Sequence, residues 1–118
     1  MTDYTATYWM ALKTLTSAIW ACEERSWKHA REGVISLGFV AETLRRDIDE
    51  RPDVRALSLA EAWRSVDDAY RAARAVVVAA WPGHTEDLDE ATAAAKSEAR
   101  AGESRRPGGR NRLAKSRG

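Results

Sequence analysis

SLAEAWRSVDDAYRAARAVVVAAW, residues 58 to 81, carries the plainest helical signature in the chain. Ser58-Leu59-Ala60-Glu61 has the form of a capping box, in which the serine oxygen and the Glu61 carboxylate each satisfy an otherwise orphan amide. At 100° per residue, Leu59, Ala62, Trp63, Val66, Ala69, Tyr70, Ala73, Val76, Val77, Ala80 and Trp81 cover one broad face opposite Arg64, Asp68, Arg71 and Arg74. Trp81-Pro82-Gly83 ends the run. A helix apolar over that much of its circumference needs neighbours, and the flanking sequence supplies them as further helices.

On the N-terminal side, the spacing predicts a helix opening at Thr2 or Asp3 and leaving through Gly33, where a left-handed exit costs least. Tyr8, Leu12, Leu15, Ile19 and Cys22 recur every three to four positions and form its expected core stripe. Trp9, Trp20 and Trp27 lie along a second line about 90° from that stripe. A second helix is expected from Val34 to Arg51, ahead of Pro52, with Leu37, Val40, Ala41, Leu44 and Ile48 buried and Glu42 paired with Arg46. Ile35 and Phe39 fall on its reverse face, so that helix also wants neighbours on two sides. Beyond the Pro-Gly turn, Thr85 to about Ala101 reads as a fourth helix. Glu86, Asp87, Asp89 and Glu90 suit its positive end, and Leu88 is its only bulky anchor, which predicts loose docking.

No stretch alternates apolar and polar residues between turn signals, so no strand is expected. The fold class that follows is all-α. It is a small antiparallel bundle of three strong helices and a weaker Ala-rich fourth, occupying residues 1–101 and followed by a disordered basic C-terminal tail at 102–118. With 118 residues, 44% hydrophobic and 31% charged, the composition is that of a single soluble domain. Charge is unevenly divided. Residues 1–99 hold 12 Lys/Arg against 17 Asp/Glu, a net of −5, while residues 100–118 hold 7 Lys/Arg against Glu103 alone, a net of +6. The longest uncharged run, Ala75 to Thr85, is about half the ~20 residues a bilayer requires, so integral membrane association is not expected. Met1-Thr2-Asp3-Tyr4 lacks the features of a secretory leader and Cys22 has no internal partner, which together favour a cytoplasmic setting.

The tail carries the one direct implication for a partner. Arg105, Arg106, Arg110, Arg112, Lys115 and Arg117 can pair with phosphates and release counterions, giving DNA or RNA contact without sequence preference. No aromatic is interleaved to stack on bases. For the tryptophan line three readings stand. It packs against Trp63, Tyr70 and Trp81 of the third helix, it joins Ile35 and Phe39 in a surface for self-association or a helical protein partner, or it lies on a membrane surface. The last lacks the ring of cations such a helix normally carries.

Signals for catalysis or cofactors are thin. Cys22 and His29 are two turns apart on one predicted helix, roughly 10 Å, which excludes a direct thiol to imidazole bond. His84 near Glu86, Asp87, Asp89 and Glu90 lacks any specific metal spacing, and no glycine-rich phosphate loop is present, so no cofactor or metal is expected. Arg25 and His29 resemble the arginine to histidine pair of helical HEPN-type ribonucleases. The likeness covers two residues, with three between them where that motif has four to six, and no activity is carried over from it. The segment Pro52 to Leu57 is longer than the turn of a helix-turn-helix. The functional expectation is therefore a non-catalytic interaction module that self-associates or docks a protein, with a tail for nucleic acid. A small regulatory partner of one protein, of the antitoxin or phage-inhibitor kind, is the alternative, and a helical ribonuclease using Arg25, His29 or His84 is a third.

Overall fold

The computed structural model describes residues 4–50 and 56–105, with side chains in 4–50 and 58–101. Helices α1 (Thr5–Glu23), α2 (Trp27–Glu50), α3 (Ala56–Ala80) and α4 (Thr85–Arg105) pack against one another, with a short 3-10 turn at Pro82–His84 between the last two. No strand occurs among the described residues. Of the expected tail, residues 106–118 lie outside the described residues, and 102–105 continue α4.

The first expectation to fall is the boundary at Gly33. The chain leaves α1 ten residues earlier, through Arg25 at φ 58. Ser26 N–H donates to Ala21 O at 2.8 Å and Arg25 N–H to Cys22 O at 3.2 Å, the paired bonds of a Schellman exit. A non-glycine residue in that conformation costs roughly 1–2 kcal/mol. Arg25 offsets the cost through its side chain, which donates to Ala80 O at 3.2 Å and stacks over the Trp81 ring at 4.6 Å. The α1–α2 turn is thereby tied to the end of α3, and Trp27 belongs to α2.

Gly33 and Gly38 lie inside α2 and let other helices approach. A Cβ at Gly33 would come 3.2 Å from Ala18 Cβ of α1, and one at Gly38 would come 2.8 Å from Thr92 Cγ2 of α4. Helix α2 is thus the central element, with α1, α3 and α4 all packed on it. Between these contacts Ala30, Val34, Leu37, Ala41 and Leu44 are buried toward α3, where Leu59, Ala62, Val66, Ala73 and Val77 meet them. Helix α3 begins at Ala56, so Ser58 and Glu61 fall in its first turns and not at its cap.

Helix α1 is rotated relative to its expected stripe. Its buried residues are Ala11, Ala18, Ala21 and Cys22, while Leu12 is 52% exposed and Tyr8 is exposed beside it. The stripe centre moves by about 80° toward the alanines. The cause is size: only a small face can seat against Gly33, and the close approach excludes bulkier side chains.

Helix α4 is docked more firmly than its composition suggests. Leu88 and Ala99 are buried, and the buried Thr92 hydroxyl donates to Leu88 O. The expected Glu42–Arg46 pair is replaced by contacts to α4, because Glu42 meets Arg100 and the buried Arg46 donates to Ala99 O. Arg74 of α3 grips Asp89 through both guanidinium donors, at 2.9 and 2.8 Å. That hydrogen-bonded guanidinium holds the Asp89 carboxyl below its usual value.

Candidate functional site

The rotation of α1 has a direct consequence for the tryptophans. With the alanine side turned inward, Trp9 and Trp20 lie about 180° from the core, since eleven residues bring a helix round to nearly the same angle. They are 61% and 64% exposed. Among the described residues, four of the five exposed large apolar side chains belong to α1: Tyr8, Trp9, Leu12 and Trp20. The fifth is Phe39 of α2, 40% exposed.

The five expected surface residues do not all share a fate. Trp9 and Trp20 stand on the outer face of α1, and a shallow furrow between α1 and α2 connects them through Ser17 and His29. Met10, Thr14 and Ser36 carry that furrow onward to a second groove, in which Ile35 and Phe39 of α2 face Ala95 and Glu98 of α4. Trp27 is elsewhere. It is half-buried at the end of the bundle, edge-on to Trp81 at 5.4 Å and against the His84 ring at 4.7 Å. It fastens one turn of the fold to the other. The aromatic edge of α3 likewise belongs to internal packing: Trp63 and Trp81 are half-buried, Arg45 lies over the first and Arg25 over the second.

The α1 face is also depleted of charge. From Thr5 to Cys22 the only ionisable side chains are the cation Lys13, the phenol of Tyr8 and the buried thiol of Cys22. Two of its threonines place little polar demand on a neighbour, because Thr14 Oγ1 donates to Met10 O at 2.8 Å and Thr16 Oγ1 to Leu12 O at 3.0 Å. Those two hydroxyls are satisfied within the helix. Aromatic enrichment with few charges is the composition of a protein contact, whereas a solvated helix face normally carries acids and bases.

The candidate nucleophile and bases do not converge. Burial pushes the Cys22 thiol up, which keeps it protonated and unreactive. Ser26 Oγ and His29 Nδ1 are 2.7 Å apart in the first turn of α2, yet no third side chain among the described residues hydrogen-bonds His29. Arg25 is held on Trp81 and Ala80, His84 lies against Trp27, and His29 opens into the furrow. No group of three His, Cys, Asp or Glu that could hold a metal occurs among the described residues. Of the tail cations, Arg105 is the last residue of α4, and Arg106, Arg110, Arg112, Lys115 and Arg117 lie outside the described residues. Among the described residues no helix is long and apolar enough to cross a membrane.

Trp9 and Trp20 were detectable in the sequence as a line apart from the main stripe, but the alanine face that turns them outward was not, because alanine is neutral in any amphipathic count. No protein-family model, curated protein or solved structure matches this chain.

Proposed function

We propose that this protein is a non-catalytic interaction module whose contact surface is the outer face of α1, extended by the basic tail as a nucleic-acid tether. The observation that carries the reading is the exposure of both indoles on a helix face whose only charged side chains are Lys13 and, at its end, Glu23. The two indoles and Leu12 alone leave on the order of 400 Å² of apolar surface in water, about half of what one side of a stable protein interface buries. Covering that area releases ordered water and is favourable in proportion to it. Among the described residues outside α1, Phe39 is the one other exposed large apolar side chain.

A photoreactive residue in place of Thr16, introduced in the native host, tests the contact surface. The expected result is a discrete crosslinked species, and a lack of any discrete adduct would overturn the reading. An adduct with one other protein would favour the regulatory-partner alternative within it. The tail is tested separately, by removing residues 103–118. Retention on DNA or RNA at low salt should vanish, and for duplex DNA the full chain should show a slope of log affinity against log salt of about −5 if all six cations engage. Retention unchanged by the truncation refutes the nucleic-acid half.

A further inference from the structure

Trp9, Lys13, Thr16, Trp20 and Glu23 recur along α1 at steps of four and three, the period of a seam between two helices. All five are exposed. Neither Lys13 nor Glu23 takes part in an ion pair among the described residues. We infer that the partner of this face is a second copy of the chain, packed α1 against α1 in antiparallel, two-fold fashion. The inference rests on the contact-surface reading above and adds the identity and register of the partner.

Self-complementarity carries it. In a two-fold antiparallel pair, residue i of one copy meets residue j of the other and j meets i. Centring the axis beside Ala18 sets Lys13 opposite the partner's Glu23 and Thr16 opposite the partner's Trp20, each contact occurring twice. Charge then meets opposite charge and a large side chain meets a small one, as interdigitating layers require. Trp9 reaches past these layers toward the partner's α1–α2 turn. A parallel pair would instead set Lys13 against Lys13 and Trp20 against Trp20, combining repulsion with a clash of bulk.

Area points the same way. Each copy contributes a strip of like extent, and twice the roughly 400 Å² left by Trp9, Leu12 and Trp20 is about two-thirds of the lower bound of a specific interface, about 1,200 Å² in total, to which the Lys13, Thr16 and Glu23 side chains of both copies add. The basic tail of the same chain is a poor occupant, because its only bulky apolar residue is Leu113. The like net charge of two acidic bodies opposes pairing only weakly at physiological salt, where exposed charges are screened within about 8 Å.

Sedimentation velocity on the full chain, across micromolar concentrations, provides the test, with far-UV circular dichroism on each variant to confirm folding. The wild-type chain should move from monomer to dimer as concentration rises, and Trp20→Ser should hold it as monomer. Lys13→Glu and Glu23→Lys should each weaken dimerisation about tenfold, since each reversal places two like-charge pairs in the seam, and the double variant should recover to within about threefold of wild type. A dimer indifferent to the single reversals, or one that the double variant does not recover, overturns the antiparallel register. A wild-type monomer at every concentration overturns the second-copy inference. If position 16 then still crosslinks to a discrete species of another mass, the contact-surface reading survives, and if it crosslinks to nothing, both fall.

Discussion

Helices α1 and α4 both pack on α2 through small residues, yet they present opposite exteriors. α4 seats Leu88, Thr92 and Ala99 inward and turns Glu86, Asp87, Glu90 and Glu98 to water. α1 seats Ala11, Ala18 and Ala21 inward and turns two indoles to water. Docking onto a glycine-bearing helix therefore fixes the inner face of a neighbour and leaves its outer face free to serve another purpose. For α4 that purpose is solvation. For α1 the exposed indoles are excess to the core, and the proposed contact is what would cover them.

The contrast can be broken most forcefully at α4. Leu88→Ala should lower unfolding stability by about 2–4 kcal/mol in chemical denaturation, because Leu88 is among the largest fully buried side chains and its loss leaves a cavity. Next in size is Gly38→Ala. Its new methyl would lie 2.8 Å from Thr92 Cγ2, and Thr92 is buried and tied to Leu88 O, so it cannot yield. After the gain in helix propensity, a net loss of about 1–2 kcal/mol is expected, and adding Thr92→Ser, which removes the obstructing methyl, should recover most of it.

A smaller effect separates the two helices by pH. Arg74 holds the Asp89 carboxyl below its ordinary value of 3.8, so the folded state takes up that proton less readily than the unfolded chain. The pair contributes stability above that value and loses it as pH falls through 3.8 and below. Because the Asp89 side chain is 47% exposed, the contribution is about 0.5 kcal/mol after solvent screening. Wild type and Asp89→Asn should thus differ slightly near neutrality and converge in acid, as read by thermal unfolding across pH. The smallest effect belongs to α1: Trp20→Ser should change the stability of the dilute monomer by no more than about 0.5 kcal/mol, even though it removes the largest kind of side chain. A large loss there would show that the indole already serves the fold, and the contrast between the two helices would fail.

Much of this architecture was readable in the residues. The helix running to Ala80, the turn at Trp81-Pro82-Gly83, the α2 stripe of Leu37, Ala41 and Leu44, and Leu88 as the anchor of α4 all follow from period and punctuation. The α1–α2 turn was not readable, because its left-handed residue is an arginine. The signal that admits Arg25 is Trp81, fifty-six positions away. Gly33 misled for the complementary reason, since a glycine that permits close helix approach and a glycine that permits a turn look alike in one dimension. Trp27 moved with that boundary, from the exposed line to the bundle's end. Glu42 and Arg46 satisfied a local pairing rule, yet α4 offered each a better partner.

The amino-acid sequence by itself determined that the chain is helical, where its bulky apolar residues recur, and that an acidic body is joined to a basic end, because periodicity and charge are properties of the order of residues. Only the tertiary structure decided which side of α1 faces inward, since alanines and aromatics compete for that position and the winner depends on how close a neighbour can come. Gly33 lets α2 approach to within contact of Ala18, the alanines take the interior, and Trp9 and Trp20 are left facing out.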